Sequence, residues 1–164
     1  MRKSLALIVL AIFALFFQEA LFPLVLPRSF VPNILLLLVL YLGFFESNEF
    51  GVIGAFLLGI FLDLSGGLVI GPWAGSFVVT FCALSLIADR VFSESPIAVS
   101  VVGLCGAALA NVTFLFLTVE GLPYVRSMLS QVMSQAVVAM FLLPLLIPWL
   151  RWVMKGQRDY TDYA

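Results

Sequence analysis

The stretch Leu57–Gly67, LLGIFLDLSGG, decides how the rest of the chain is read. An apolar run broken only by Gly59 leads straight into Asp63, and Gly66 and Gly67 follow after Leu64 and Ser65. A run of this kind suits a helix that crosses lipid. A carboxylate at its end needs a reason, because a helix C-terminus carries negative partial charge and disfavours an anion. Adjacent glycines tolerate positive φ and stop a helix. Gly71 and Pro72 then open the next apolar run, with proline in the first helical turn, where its missing N–H is no loss. The stretch therefore predicts a helix end, a tight glycine loop and a new helix. Asp63 is expected to find either a basic partner or backbone N–H groups of the loop, with solvation at the membrane surface as the plainer alternative.

The same character extends along the chain. Of 164 residues, 63% are hydrophobic and 10% charged, against about 45–50% and about 25% in soluble domains. Apolar runs recur without polar faces between them, which predicts a multi-spanning membrane protein. Strand alternation is absent, which argues against a membrane barrel. The net charge is −1 and the basic residues are scattered, so no surface for nucleic acid is expected. The chain has no histidine, the commonest general base and metal ligand. Cys82 and Cys105 lie in apolar runs and read as small buried hydrophobes rather than a disulfide or metal pair. The N-terminus starts like a signal peptide, but Gln18 and Glu19 stand where small cleavage-site residues would follow, so it reads as an uncleaved first span.

Six spans are expected, at about 5–26, 31–47, 49–65, 71–92, 96–118 and 127–150, with a five-span alternative if part of 49–75 re-enters. Six spans with a cytoplasmic N-terminus place Arg2, Lys3, Arg90, Arg151, Lys155 and Arg158 inside, and only Arg28 and Arg126 outside. That bias has the direction the positive-inside rule requires. Trp149 and Trp152 flank Arg151 and suit an interfacial belt. Residues 1–154 thus form one transmembrane domain, and 155–164 a short polar tail on the cytoplasmic side.

Two sets of residues stand out inside the spans. Small residues recur four apart at Gly51, Ala55 and Gly59, at Gly67, Gly71 and Gly75, and at Gly103, Ala107 and Asn111. Such faces let backbones approach, either within the bundle or against a separate membrane partner. The second set is polar. Glu19 lies deep in the first span, beside Gln18 and ahead of Pro23 and Pro27, where an acidic residue costs on the order of 2–3 kcal/mol. Arg28 and Arg126 are its candidate partners. Ser127, Gln131, Ser134 and Gln135 share a face of the last span, and Asn111, Thr113 and Thr118 lie in the fifth. With Asp63, the residues Gln18, Glu19, Asn111, Gln131 and Gln135 gather toward the outer face. They predict either an outward polar cavity or a set of interhelical hydrogen bonds. No nucleophile–base pair, metal-ligand spacing or phosphate-cradling loop accompanies them, so neither an enzyme nor a cofactor or metal site is expected.

VPNILLLLVLYLGFF (31–45) followed by GVIGAFLLGIFLDLSGGLVIG (51–71) resembles the family of the rod shape-determining protein MreD. The resemblance rests on Pro32 and Asn33 opening a leucine-rich span, then on Gly54, Gly59, Asp63, Leu64, Ser65, Gly66 and Gly71, with Gln18 near the end of the first span. It is specific over about 31–75 and otherwise matches in length and span count. Asn33 stands where aspartate is frequent, and the loop before Gly71 lacks an expected proline. The resemblance implies a six-helix, all-α bundle similar to the substrate-binding subunits of energy-coupling-factor transporters. It implies a non-enzymatic subunit of the bacterial elongation machinery (the elongasome) in the inner membrane, with both termini cytoplasmic. There it would scaffold peptidoglycan synthesis and regulate cell shape, through protein–protein interaction with the bitopic protein MreC. Through MreC it would join MreB filaments, RodA and a penicillin-binding transpeptidase. The alternative is a small-molecule binding subunit of a transporter, with the polar cluster as its outward-facing pocket.

Overall fold

Long apolar runs without alternation can satisfy their backbone in lipid only as helices, and every element described here is helical. The computed structural model describes residues 2–25, 31–46, 48–66, 70–88, 96–118 and 125–155, with side chains over 5–24, 31–46, 48–66, 70–88, 97–118 and 133–153. The elements are α1 (Arg2–Phe16), a π-helical turn (Phe17–Leu21), α2 (Phe22–Val25), α3 (Ile34–Phe45), α4 (Glu49–Gly66), α5 (Pro72–Ala88), α6 (Pro96–Thr118) and α7 (Val125–Lys155). No strand occurs among the described residues.

Among the described residues, four stretches are long and apolar enough to cross a membrane: Leu5–Leu24, which runs from α1 through the π turn into α2, then α4, Ile97–Thr118 of α6, and Met133–Val153 of α7. This is the pattern of a multi-pass membrane protein. The expected second and fourth spans are apolar too, but their helices have only 12 and 17 residues. At 1.5 Å per residue α3 is about 18 Å long, well short of the ~30 Å hydrocarbon layer.

The composition of α3 explains its position. Its sequence ILLLLVLYLGFF has no polar face, and every residue from Leu35 to Phe44 is buried. A helix that is apolar all round belongs in the centre, and α3 packs against α1, α4, α5, α6 and α7. Small residues bring the neighbours close. A Cβ on Gly59 would stand 2.7 Å from the Ala74 nitrogen and 2.8 Å from the Trp73 carbonyl oxygen, so α4 and α5 touch backbone to backbone. A Cβ on Gly51 would meet the Phe81 ring, and one on Gly106 the side chain of Leu40. Gly51, Ala55 and Gly59 are all buried against this chain's own helices. Gly75 faces Leu117 of α6. Gly67 lies outside the described residues.

The outer surface is apolar, as lipid contact demands. Ile8, Ile12 and Phe16 on α1 and Phe56 and Leu57 on α4 are exposed. The expectation that Cys82 and Cys105 are buried is corrected: both are free and exposed. A small apolar thiol gains little from burial when the surrounding solvent is itself hydrocarbon. On α7, Pro144 and Pro148 sit inside a continuous helix. Trp149 and Trp152 are exposed on either side of Arg151, whose guanidinium lies 4.2 Å from the centre of the Phe45 ring.

Candidate functional site

Asp63 is the best-bonded polar side chain described. It is 3% exposed, and its carboxylate accepts three backbone N–H groups from the start of α5. Gly71 N donates to Oδ2 at 2.8 Å, Trp73 N to Oδ1 at 3.0 Å and Ala74 N to Oδ2 at 3.2 Å. The first N–H groups of a helix have no intrahelical partner. Pro72 has none to offer, so the carboxylate takes those on either side of it. Asp63 thus sits at the C-terminus of α4 but against the positive end of α5, whose N–H groups it accepts. Of the partners expected for Asp63, backbone N–H groups are present: Gly71's at the end of the loop, and Trp73's and Ala74's in the first turn of α5.

The residues around Asp63 make this approach possible. Gly71 has φ +126°, a conformation that L side chains rarely adopt. It turns the chain so that its own N–H meets Asp63 while its carbonyl starts α5 by accepting from Gly75 N at 2.8 Å. Gly59, one turn before Asp63, lets α4 lie on Ala74, whose N–H the carboxylate receives. Ser65 Oγ donates to the Leu62 carbonyl at 2.8 Å, satisfying an orphan acceptor at the end of α4. Trp73 stacks on Phe114 of α6, with ring centres 4.1 Å apart, and meets Phe77 edge-on at 5.6 Å. Leu64 and Gly66 of the motif are exposed. The corner is therefore a three-helix joint, and its one charge is consumed by backbone.

A second polar assembly opens α3. Asn33 caps the helix, its Oδ1 accepting Leu36 N at 3.0 Å. Gln18 is buried in the π turn, and its Oε1 accepts Ile34 N at 3.2 Å, so two side chains satisfy two orphan donors of one helix. Gln18 continues the buried stripe of Leu7, Ala11 and Ala14 on α1. Glu19, one residue on, is exposed, so it does not face the bundle. Its candidate partners Arg28 and Arg126 lie outside the described side chains. Gln135 reaches the same region. Its buried Oε1 lacks a hydrogen-bond partner, and the space it shares with Pro32, Asn33 and Leu37 is about 10 Å³, room for one water.

Asn111 is elsewhere. It is buried, and Nδ2 donates to the Ala107 carbonyl at 2.8 Å. Beside it, Ser76 Oγ donates to the Ala110 carbonyl and links α5 to α6, while Thr80 Oγ1 donates to the Ser76 carbonyl at 2.8 Å. Thr113 and Thr118 bond back to Leu109 and Phe114 of their own helix. The side chain of Gln131 lies outside the described residues.

The structure thus brings Gln18 and Gln135 to one end of α3 and gives Asp63 and Asn111 separate duties. Sequence reading did not single out Ser76 and Thr80. Two hydroxyls one turn apart in an apolar run were the signal available. Asn33 was noticed only through the family resemblance, although an asparagine directly before an apolar run is an N-cap signal in its own right. Comparison with family models, with curated proteins and with solved structures found no match for this chain.

Proposed function

We propose that the chain is a non-enzymatic scaffold subunit in the bacterial inner membrane, of the kind its resemblance to MreD implies. In this reading it carries an MreC-like bitopic protein. Through that protein it serves MreB filaments, RodA and a penicillin-binding transpeptidase during lateral wall growth. The observation that carries the proposal is the use made of the polar residues. Asp63, Gln18 and Asn33 hold the starts of helices, and Ser76 and Asn111 bond backbone carbonyls. A transport subunit would leave such groups aimed into a pocket that buries most of its ligand. Here Asp63, Gln18 and Ser76 tie one helix to another, while Asn33 and Asn111 bond within their own helices, and no group is left for a ligand to claim at the joints, which is what a rigid platform needs.

The proposal includes six crossings with both ends cytoplasmic, the arrangement of the energy-coupling-factor subunits. The short α3 is compatible with that count, because protein covers it on all sides and its ends need not match the lipid thickness. The partner face is placed away from Gly51, Ala55 and Gly59, since those residues pack inside.

Co-expression with an MreC-like bitopic protein tests the reading. A tagged chain is expected to retain that protein through detergent purification, and its depletion is expected to turn rods into spheres. Failure to retain that protein, together with rods that stay rods on depletion, would remove the proposal.

A further inference from the structure

We propose that the exposed face of the first span, ending on Glu19, docks a second membrane-spanning helix that brings a lysine or arginine side chain to the depth of that carboxylate. In the scaffold reading this helix is the span of the bitopic partner. Leu5, Ile8, Ile12, Phe16 and Glu19 follow one another at intervals of three and four residues. That spacing puts them on one helix face, and all five are exposed. The four apolar ones form a seam with the period that a packed helix pair uses. The first span is also the one least covered by its own chain. It is 22% buried, against 28%, 39% and 44% for the other three long spans described.

Glu19 sets the chemistry of the occupant. It stands about 7.5 Å short of the end of the span at Leu24, with Ala20 and Leu21 exposed beside it. It is held outward by its neighbour. Gln18 takes the inward position of the π turn through its bond to Ile34 N, and the next residue points roughly 100° away around the helix axis. The other acidic side chains described are each compensated. Asp63 accepts three N–H groups. Glu49 lies in the first turn of α4, where the helix dipole favours an anion. Glu46 interacts within the chain. Glu19 makes no hydrogen bond or ion pair among the described residues. An acidic side chain on a face turned to hydrocarbon is costly, and such residues mark contacts. A cation carried by a packed helix offsets that cost. The apolar seam that precedes Glu19 supplies the close contact that holds helices together in lipid. A π turn within a helical span is itself a feature that gathers at functional sites.

Energy transfer between the full-length chain and two synthetic spans tests this in phosphatidylcholine vesicles. One probe is a leucine helix of about 20 residues, and the other carries one arginine at the depth of Glu19. The arginine probe is expected to bind about tenfold tighter than the all-leucine probe. Glu19→Gln should abolish that preference. Ile12→Trp, within the seam, should weaken both probes, while Leu145→Trp on the exposed side of α7 changes neither. Equal binding of the two probes by the wild type overturns the proposal, as does a preference that survives Glu19→Gln. Loss of the preference when phosphatidylethanolamine is added assigns Glu19 to a lipid amine and overturns it too. So does a lowered unfolding midpoint of Glu19→Gln alone in detergent, which would bond the carboxylate within its own chain. With the bitopic protein, Glu19→Gln is expected to cut retention about tenfold. Unchanged retention overturns the inference and leaves the scaffold reading standing. A wild type that retains nothing overturns the scaffold reading, and the two probes then decide the inference.

Discussion

Asp63 shows why a carboxylate ends the apolar run of α4. Its cost in lipid is offset by three N–H donors that would otherwise be unpaired, and each hydrogen bond to a charged group contributes about 1.5–3 kcal/mol. We predict that Asp63→Ala destabilises the fold by about 3 kcal/mol or more, read as a lowered unfolding midpoint in detergent. An unchanged midpoint would show that the carboxylate is merely solvated. The oddity of Asp63 was legible in the sequence, because charge and apolar context conflict within a few residues. Its partner was not, because the donors are backbone N–H groups that any residue except proline carries. Glu19 taught the opposite lesson. Depth in a span made it a member of the outward polar set, but the buried stripe of α1 passes through Gln18 and leaves Glu19 exposed. Spacing back to Leu7, Ala11 and Ala14 was the signal that separates the two neighbours.

At the scale of elements, small residues decide how near two helices come. Gly59 stands where α4 meets the backbone of α5, whereas a Cβ on Gly66 would meet nothing within 4 Å. Gly59→Leu is therefore expected to abolish the folded monomer. Gly66→Ala is expected to leave the unfolding midpoint unchanged or raise it slightly, since alanine suits a helix better than glycine by about 1 kcal/mol. The two glycines lie on the same helix and differ in what lies opposite. Normal folding of Gly59→Leu would mean that α4 and α5 are not in contact there. The four-residue spacing that revealed Gly51, Ala55 and Gly59 was legible. What they pack against was not, because spacing names a face and not its neighbour. Helix starts were legible from Pro72, and from Asn48, which caps Gly51 N at 3.2 Å. The length of α3 was overestimated by the extent of its apolar run, since such a run does not mark where helical bonding stops.

For the whole molecule, the sequence pattern made the all-helical class plain, and the structure adds its centre. The Leu-rich α3 is buried on all sides, and the longer helices surround it. The sequence left an outward polar cavity and a set of interhelical hydrogen bonds both open, and depth alone does not separate them. Polar side chains at similar depth on different helices bond to the nearest backbone when that backbone has an open donor or acceptor, and helix starts supply many. Reporter fusions are expected to place residue 1 and residue 164 on the same side of the membrane, and the loop between α4 and α5 on the other. Opposite sides for the two ends would break the six-crossing proposal.

The central claim is that the polar residues of this bundle build joints, with the Asp63 clamp as the principal one. Amide hydrogen exchange of the full chain in nanodiscs tests it most directly. The account predicts strong protection of Gly71, Trp73 and Ala74 in the wild type. It also predicts that Asp63→Ala speeds exchange there by about tenfold or more, and by more than in the core of α6. Rapid exchange of those three amides in the wild type, or identical rates in the two proteins, would contradict it.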